Sequence, residues 1–228
     1  NIYMNLRKKA QPEYGYYINY KNYKILSFSP ELFFKKENNT LISYPMKGTR
    51  PRSINSKKDQ KLKVELKNSL KDKAEHLMIV DLLRNDIGKI AIPGSVSVDD
   101  MFKVNSYQTV HQMISCIKGK LDNSIQEQDI ICALFPGGSV TGAPKESAMK
   151  IIDNLENYSR DIYTGSIGYI TPNGNLNFNI AIRTMTINNN IAKYPVGGGI
   201  VWDSIPIQEW EEAQLKSKIL NSIVTSNG

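Results

Sequence analysis

The sequence has few cysteines and histidines and no long apolar run. Cys116 and Cys132 are the only cysteines among 228 residues, and they do not form a CxxC pair. This argues against a zinc site and against a disulfide scaffold, and it favours a reducing cytoplasm as the setting. Because no run of about 18 apolar residues occurs, we expect no membrane-spanning segment.

The net charge of +7 leaves several classes of partner open. It could reflect a Lys-rich composition on a solvated surface, a nucleic-acid partner or a small anionic substrate. No zinc finger, RNP motif or helix-turn-helix pattern is present, so we expect no nucleic-acid partner. The charge alone does not decide between the other two interpretations.

The pattern of strands and helices predicts an α+β fold with largely antiparallel sheets. Residues 1–228 are expected to form one domain, because 40% hydrophobic residues suffice for a core. The alternating, aromatic-rich pattern of residues 14–29 predicts two strands around Lys21-Asn22. We also predict one helix over 57–86, a single strand through 176–187, a strand over 191–201 and a closing helix over 207–224.

Two glycine-rich segments could hold a ligand. "FPGGSVTGAPK" (135–145) lacks the Lys-Ser/Thr of a phosphate-binding P-loop, but it precedes a predicted helix whose free N–H groups could bind a carboxylate. A plain helix-entry loop is the alternative. "VGGGIVWDS" (196–204) predicts either a β-bulge or the close approach of another group to the backbone.

Charged residues recur at helical spacing in two places. Asp72 and Glu75 are three residues apart, as are Glu209 and Glu212. Each pair alone is usually a solvated helix face, but two such pairs brought together would suit Mg²⁺. His111 lies in a strand pattern, where a satisfied structural histidine is the simpler interpretation.

Seven motifs occur in an order that resembles the chorismate-utilising enzymes. That family includes anthranilate synthase, aminodeoxychorismate synthase, isochorismate synthase and salicylate synthase. The motifs are "SFSPELF", "KGTRPR", "EHLMIVDLLRNDIG", "FPGGSVTGAPK", "YTGSIGYI", "AIRT" and "GGGIVWDS" followed by the acids of the last helix. The resemblance covers nearly the whole chain, as the catalytic C-terminal portion of such an enzyme, and it implies packed, largely antiparallel sheets with outer helices.

The resemblance also implies a set of site residues. It implies Mg²⁺ held by Glu75 and Glu212, with Asp72 and Glu209 as nearby or water-mediated partners. It implies that Arg183 and Tyr163 hold the enolpyruvyl carboxylate of chorismate. The further residues that it assigns to substrate binding are Thr49, His111, Thr141, Gly142, Gly197, Gly199 and Lys216.

Lys47 of "KGTRPR" separates the branches of this family. Its position typically carries alanine in most branches and lysine in the aminodeoxychorismate synthases, where the lysine attacks the ring and Glu31 would be the general acid. The resemblance thus implies 4-amination of chorismate, with ammonia from a glutamine amidotransferase subunit. Anthranilate synthase component I with an unusual lysine is the alternative. A catalytically inactive basic binding module on the same scaffold is an alternative of another class.

A lysine amine is a nucleophile only when it is neutral. We expect partial burial and the neighbouring cations Arg50 and Arg52 to favour a neutral Lys47. The same turn would then suit both a neutral Lys47 and a protonated Glu31, which is the state that a general acid requires.

Overall fold

Helices and strands are mixed along the chain. The computed structural model describes residues 2–108 and 110–221. Its α-helices are α1 (Ile2–Ala10), α2 (Ser56–Asn68), α3 (Leu70–Gly88), α4 (Glu127–Leu134), α5 (Lys145–Leu155) and α6 (Pro206–Ser217), with short 3-10 helices at Gly138–Val140 and Lys218–Leu220. Its strands are β1 (Tyr14–Tyr20), β2 (Tyr23–Ser29), β3 (Leu32–Glu37), β4 (Thr40–Ser43), β5 (Met46–Pro51), β6 (Ser97–Ser106), β7 (Val110–Lys120), β8 (Ser166–Ile170), β9 (Leu176–Ile180), β10 (Thr184–Asn188) and β11 (Ile191–Lys193).

The N-terminal hairpin confirms the prediction from alternation. β1 and β2 pair antiparallel from Tyr14 opposite Ser29 to Tyr20 opposite Tyr23. The turn between them contains Lys21 at a φ of 52°, a left-handed conformation that two-residue hairpin turns require.

The single helix predicted over 57–86 is wrong, because Ser69 divides it. The backbone of Ser69 is extended (φ −62°, ψ 113°), so α2 ends there. The Ser69 hydroxyl accepts a hydrogen bond from the Asp72 N–H, which makes Ser69 the N-cap of α3. The cap therefore sets the position of the acidic first turn of α3.

The single strand predicted through 176–187 is also wrong. β9 ends at Ile180 and β10 begins at Thr184, and the two strands belong to different sheets. Arg183 lies in the break with a φ of 49°, which a regular strand cannot contain. The strand predicted over 191–201 is short: β11 ends at Lys193. The closing helix predicted over 207–224 begins one residue earlier, at Pro206, and its α-helical part ends at Ser217. Residues 222–224 of the predicted range lie outside the described residues.

The chain forms two compact units. The first comprises residues 1–31, 160–168 and 179–228. Its four-stranded antiparallel sheet has the order β1-β2-β10-β11. Leu6 of α1 is fully buried and packs with Leu26, Phe28 and Met185 of this sheet.

The second unit comprises residues 32–159 and 169–178. Its strands follow the order β5-β7-β4-β3-β9-β8, with β6 also paired to β7, and parts of β8 and β9 belong to the first unit. The buried side chains of this unit include Phe34, Leu41, Leu66, Ile87 and Met113. The two units together confirm the α+β class with largely antiparallel sheets.

No helix in the described part of the chain is both long and apolar enough to span a membrane.

Candidate functional site

The residues proposed from sequence form two groups, one in each unit. The second unit contains Lys47, Thr49, Asp72, Glu75, His111, Thr141 and Gly142. The first unit contains Glu31, Tyr163, Arg183, Gly197, Gly199, Glu209, Glu212 and Lys216. Each group has a geometry of its own.

A β-bulge shapes the backbone around Lys47. Lys47 pairs with Met113 and Thr49 with Gln112, so Gly48 is left over between them. Gly48 has a φ of 77°, and a Cβ placed on it would lie 2.9 Å from Asp72 Oδ1 and Leu66 Cδ1. Only glycine fits this position, and its close packing brings the Lys47 strand against α3.

The Lys47 amine is partly buried and unpaired. It forms no hydrogen bond or ion pair with another described residue. Leaving a partly buried cation without a counter-ion lowers stability. Such an amine is available for chemistry or for an anionic ligand.

His76 of α3 lies within electrostatic range of Lys47. The ring is fully buried, with Nε2 at 2.8 Å from Ser115 Oγ. Burial and then the positive charge of Lys47 lower the pKa of His76 to about 4. His76 is therefore neutral at pH 7 and adds no positive charge beside Lys47.

The two arginines of "KGTRPR" do not supply the positive field expected from the sequence. Arg50 donates to Glu65 at 2.8 Å and to Asp72 at 2.9 Å. Arg52 forms hydrogen bonds to both carboxylate oxygens of Asp59. Both guanidinium groups are therefore paired with carboxylates rather than left free beside Lys47.

The two acids at the start of α3 are in different environments. Asp72 is bound by Arg50, whereas Glu75 is half-buried and has no hydrogen bond or ion pair to another described residue. The Asp72 N–H is bound by the Ser69 cap. Glu75 is thus the acid of this pair that is free to bind a cation.

The glycine-rich loop of residues 135–144 connects α4 to α5. Thr141 closes it internally by donating from Oγ1 to the Gly137 carbonyl at 2.9 Å. A Cβ on Gly142 would lie 2.9 Å from the Ala148 Cβ, so the loop approaches α5 closely. The N–H groups of Gly142 and Ala143 make no hydrogen bond to another residue in the described ranges, and they are available to an anion.

His111 has the contacts of a satisfied structural histidine. Its side chain is 1% exposed, with Nδ1 at 3.0 Å from Ser106 Oγ and Nε2 at 3.1 Å from Asp59 Oδ1. Both ring nitrogens therefore have partners. A direct hydrogen bond from His111 to a substrate would require one of these contacts to break.

In the first unit, the acids of α6 converge on a glycine. A Cβ on Gly198 would lie 3.1 Å from Glu209 Oε2, 3.7 Å from Glu212 Oε1 and 3.9 Å from Lys216 Nζ. Lys216 pairs with Glu212 at 2.6 Å and donates to the Gly197 carbonyl at 2.7 Å. Since this segment is not a strand, the glycines serve close approach rather than a bulge.

Arg183 and two tyrosines form the other part of this group. The Arg183 side chain is exposed and has no hydrogen bond or ion pair within the described residues, rather than lying mid-strand as predicted. Tyr163 Oη lies 3.0 Å from a Cβ placed on Gly197. Burial raises the pKa of Tyr194, and the charge of Arg183 opposes that rise. No motif in the sequence pointed to Tyr194, whose hydroxyl is buried and has no hydrogen-bond partner in the described structure.

The carboxylates proposed from the sequence are of a chemical type that suits a hard cation such as Mg²⁺. Each unit contains one pair of them at i, i+3 spacing, and carboxylate oxygens are the ligands that Mg²⁺ prefers. The partnerless Glu75 carboxylate is consistent with a cation at that point. No three His, Cys, Asp or Glu side chains in the described part of the chain are grouped so that they could hold a metal ion.

The chain thus combines an α+β fold with N–H and cationic groups that are unpaired within its described residues and with carboxylate-bearing helices. Residues 1–222 match the family described as chorismate binding enzyme, and the chain belongs to that family.

Relatives within the family have two different names. The chain is 43% identical to anthranilate synthase component 1 of Saccharolobus solfataricus, over 98% of this chain and 53% of that protein. It is 43% identical to aminodeoxychorismate synthase component 1 of Escherichia coli, over 92% of this chain and 46% of that protein. It superposes on the crystal structure of anthranilate synthase component I from Streptococcus pneumoniae with a TM-score of 0.86 at 36% identity, covering 95% of this chain and 48% of that one. The chain thus spans about half the length of these relatives.

Proposed function

We propose that the chain is the catalytic portion of an aminodeoxychorismate synthase component I, which converts chorismate to 4-amino-4-deoxychorismate. The product is a precursor of 4-aminobenzoate and folate. The observation that carries the proposal is the partly buried and unpaired amine of Lys47, in the strand that the Gly48 bulge packs against α3.

The chemistry assigned to Lys47 is covalent. The neutral amine attacks C2 of the chorismate ring, the double bond shifts, and the C4 hydroxyl leaves as water with a proton from Glu31. Ammonia then attacks C4, the double bonds shift back, and Lys47 leaves C2 as the neutral amine. The new ammonium group at C4 returns one proton to the ionised Glu31, which restores both residues to their starting states. Atoms and charges balance without an oxidant or a reductant.

The groups that we assign to substrate binding lie in each unit: Arg183, Tyr163 and the Gly197–Gly199 segment in the first, and the Gly142 loop in the second. Arg183 offers a fork of N–H groups that fits a carboxylate in two parallel hydrogen bonds. Tyr163 and the Gly197–Gly199 segment adjoin each other, and the free N–H groups of the Gly142 loop are available to a second carboxylate.

A magnesium ion would be held by Glu75 and Glu212, with Asp72 and Glu209 as nearby partners. When bound, the ion would act as a Lewis acid that neutralises and polarises a carboxylate of chorismate. Lys216 is paired with Glu212 at 2.6 Å, so the lysine and the metal ion would share that carboxylate.

The ammonia would come from a glutamine amidotransferase subunit in the cytoplasm. Relatives are named component 1, which is consistent with a second component. The two histidines of the chain are both buried, so neither offers an accessible base for a glutaminase reaction.

Anthranilate synthase component I is the second candidate, because relatives of that name are as similar to the chain as the aminodeoxychorismate synthases. The two enzymes differ in the carbon that ammonia reaches. Lys47 favours 4-amination, since covalent occupation of C2 directs ammonia to C4.

Product analysis tests the proposal. The protein is incubated with chorismate, Mg²⁺ and ammonium, and the products are separated by chromatography. We expect 4-amino-4-deoxychorismate. Anthranilate would support the second candidate, and an unchanged chorismate pool would support a non-catalytic binding module.

A further inference from the structure

A buried ion pair lies at the base of the glycine-rich loop. Asp86, near the end of α3, is 1% exposed. Its Oδ2 accepts from Lys145 Nζ at 2.5 Å, across 59 residues of sequence. This pair joins the "RND" of one motif to the "GAPK" of another, and the mechanism above uses neither residue.

Lys145 also connects the two ends of the glycine-rich loop. The same amine donates to the carbonyl of Leu134 at 3.0 Å. Leu134 is the last residue of α4 and Lys145 is the first of α5, so the two ends of the loop of residues 135–144 are joined through one amine. The carbonyl at a helix C-terminus is a favourable site for a cation.

The loop has a second contact with α3. A Cβ on Gly138 would lie 2.3 Å from Leu82 Cδ2, so the Gly138 backbone packs directly on that side chain. Leu82 and Asp86 are four residues apart and share one face of the helix. The loop is therefore fixed to α3 at two points along one helix face.

We propose that Asp86 and Lys145 are positioning residues that hold the loop so that the N–H groups of Gly142 and Ala143 point at a substrate carboxylate. This inference rests on the proposed function. The charges of Asp86 and Lys145 are paired with each other, so Lys145 does not itself bind the substrate. The pair acts through the backbone of the loop.

Lys89 provides a matched control, because it binds the other oxygen of Asp86. Lys89 Nζ lies 2.8 Å from Asp86 Oδ1, but its side chain is 54% exposed, compared with 15% for Lys145. Lys89 lies just after α3 and has no hydrogen bond to the loop. Removing it takes one cation from Asp86 without opening the loop.

The test compares Lys145→Met, Lys89→Met and the double variant Asp86→Asn/Lys145→Met. We expect Lys145→Met to raise the KM for chorismate about tenfold or more, with a smaller change in kcat, as the loss of an aligned charge-assisted hydrogen bond would. Lys89→Met should stay within about twofold of the wild type. Amide hydrogen exchange of a peptide covering the loop should accelerate in Lys145→Met and in the double variant, but not in Lys89→Met.

The double variant separates positioning from stability. It removes the buried carboxylate that keeps only Lys89 as a partner in Lys145→Met, so the melting temperature should recover towards the wild-type value while the KM stays raised. A KM that recovers with the melting temperature would overturn the proposal, as would unchanged loop exchange in Lys145→Met. If the wild-type protein does not use chorismate, the proposed function fails, and loop exchange decides whether the pair holds the loop.

Discussion

Lys47 and Lys145 both adjoin glycine-containing turns in the second unit, and they have opposite environments. Lys145 is 15% exposed and is held by the Asp86 carboxylate and the Leu134 carbonyl. Lys47 is also partly buried, but its amine has no hydrogen bond or ion pair to another described residue. The difference lies in their partners rather than in their burial.

The same contrast holds for other charged residues of the chain. Arg50 is bound by two carboxylates and Arg183 by none among the described residues. Asp72 is bound by Arg50, and its neighbour Glu75 has no such partner. Of the charged residues that the family resemblance assigns to substrate or metal, Lys47, Glu75 and Arg183 have no ion-pair partner among the described residues, whereas Asp72 and Glu212 do.

Lys47→Ala should have the largest effect on activity. Removing a covalent nucleophile should lower 4-amination at least about a thousandfold, measured as the initial rate of 4-amino-4-deoxychorismate formation. Lys57→Ala, at an exposed position of α2, is the control and should leave the rate unchanged. Full 4-amination in Lys47→Ala would refute the role of this lysine.

Glu75→Gln should come next, because it removes a proposed ligand of Mg²⁺. The rate should fall about a hundredfold or more, and a titration of activity against Mg²⁺ should shift to higher concentrations. Asp81→Asn, on the same helix but paired with Arg84 at the surface, should change neither. An unchanged Mg²⁺ titration in Glu75→Gln would remove Glu75 from the metal site.

Arg183→Lys should raise the KM for chorismate about tenfold, with less effect on kcat. An ammonium is a point charge and cannot replace the two parallel hydrogen bonds of a guanidinium. Steady-state kinetics measure the change, and Arg84→Lys on α3 is the matched control. Equal KM values for Arg183→Lys and the wild type would mean that Arg183 does not bind a carboxylate of the substrate.

Asp59→Asn should have the smallest effect on activity, because Asp59 is a paired residue. Hydrogen bonds from Arg52, foremost, and from the Ser53 N–H hold the pKa of Asp59 below its ordinary value of 3.8. A depressed pKa gives stability that is present above the unfolded-state pKa and is lost as the pH falls below it. The wild-type protein should therefore lose stability below about pH 4, and Asp59→Asn should lose less over that range.

Thermal unfolding at several pH values measures this effect of Asp59. The exposed Asp81→Asn variant should keep the wild-type pH dependence. If Asp59→Asn also keeps it, the hydrogen bonds of Asp59 do not contribute to the stability of the fold.

The sequence predicted those elements whose signals are local. The β1–β2 hairpin follows from alternation around a two-residue turn. The break at Arg183 has no local signal, because the run around it is rich in β-branched residues. It is stabilised by non-local hydrogen bonds from the Phe28 N–H to the Arg183 carbonyl and from the Ala181 N–H to the Gly165 carbonyl.

The site was predictable as a set of residue types but not as a set of partners. The glycines beside the acids of α6 could be assigned to close approach only from the three-dimensional structure. The pairing of Arg50 with Asp72 spans 22 residues and was not apparent from the motif, which suggested a free cation beside Lys47. Sequence periodicity carries no information on which distant charges meet.

Covalent trapping of Lys47 tests the central claim most directly. The wild-type protein is incubated with chorismate and Mg²⁺ in the absence of ammonia, digested and examined by peptide mass spectrometry. The account predicts an adduct with the mass of chorismate less water on the peptide that contains Lys47, and none on the peptide that contains Lys145. Absence of an adduct on Lys47, from a preparation that aminates chorismate when ammonium is added, would contradict it.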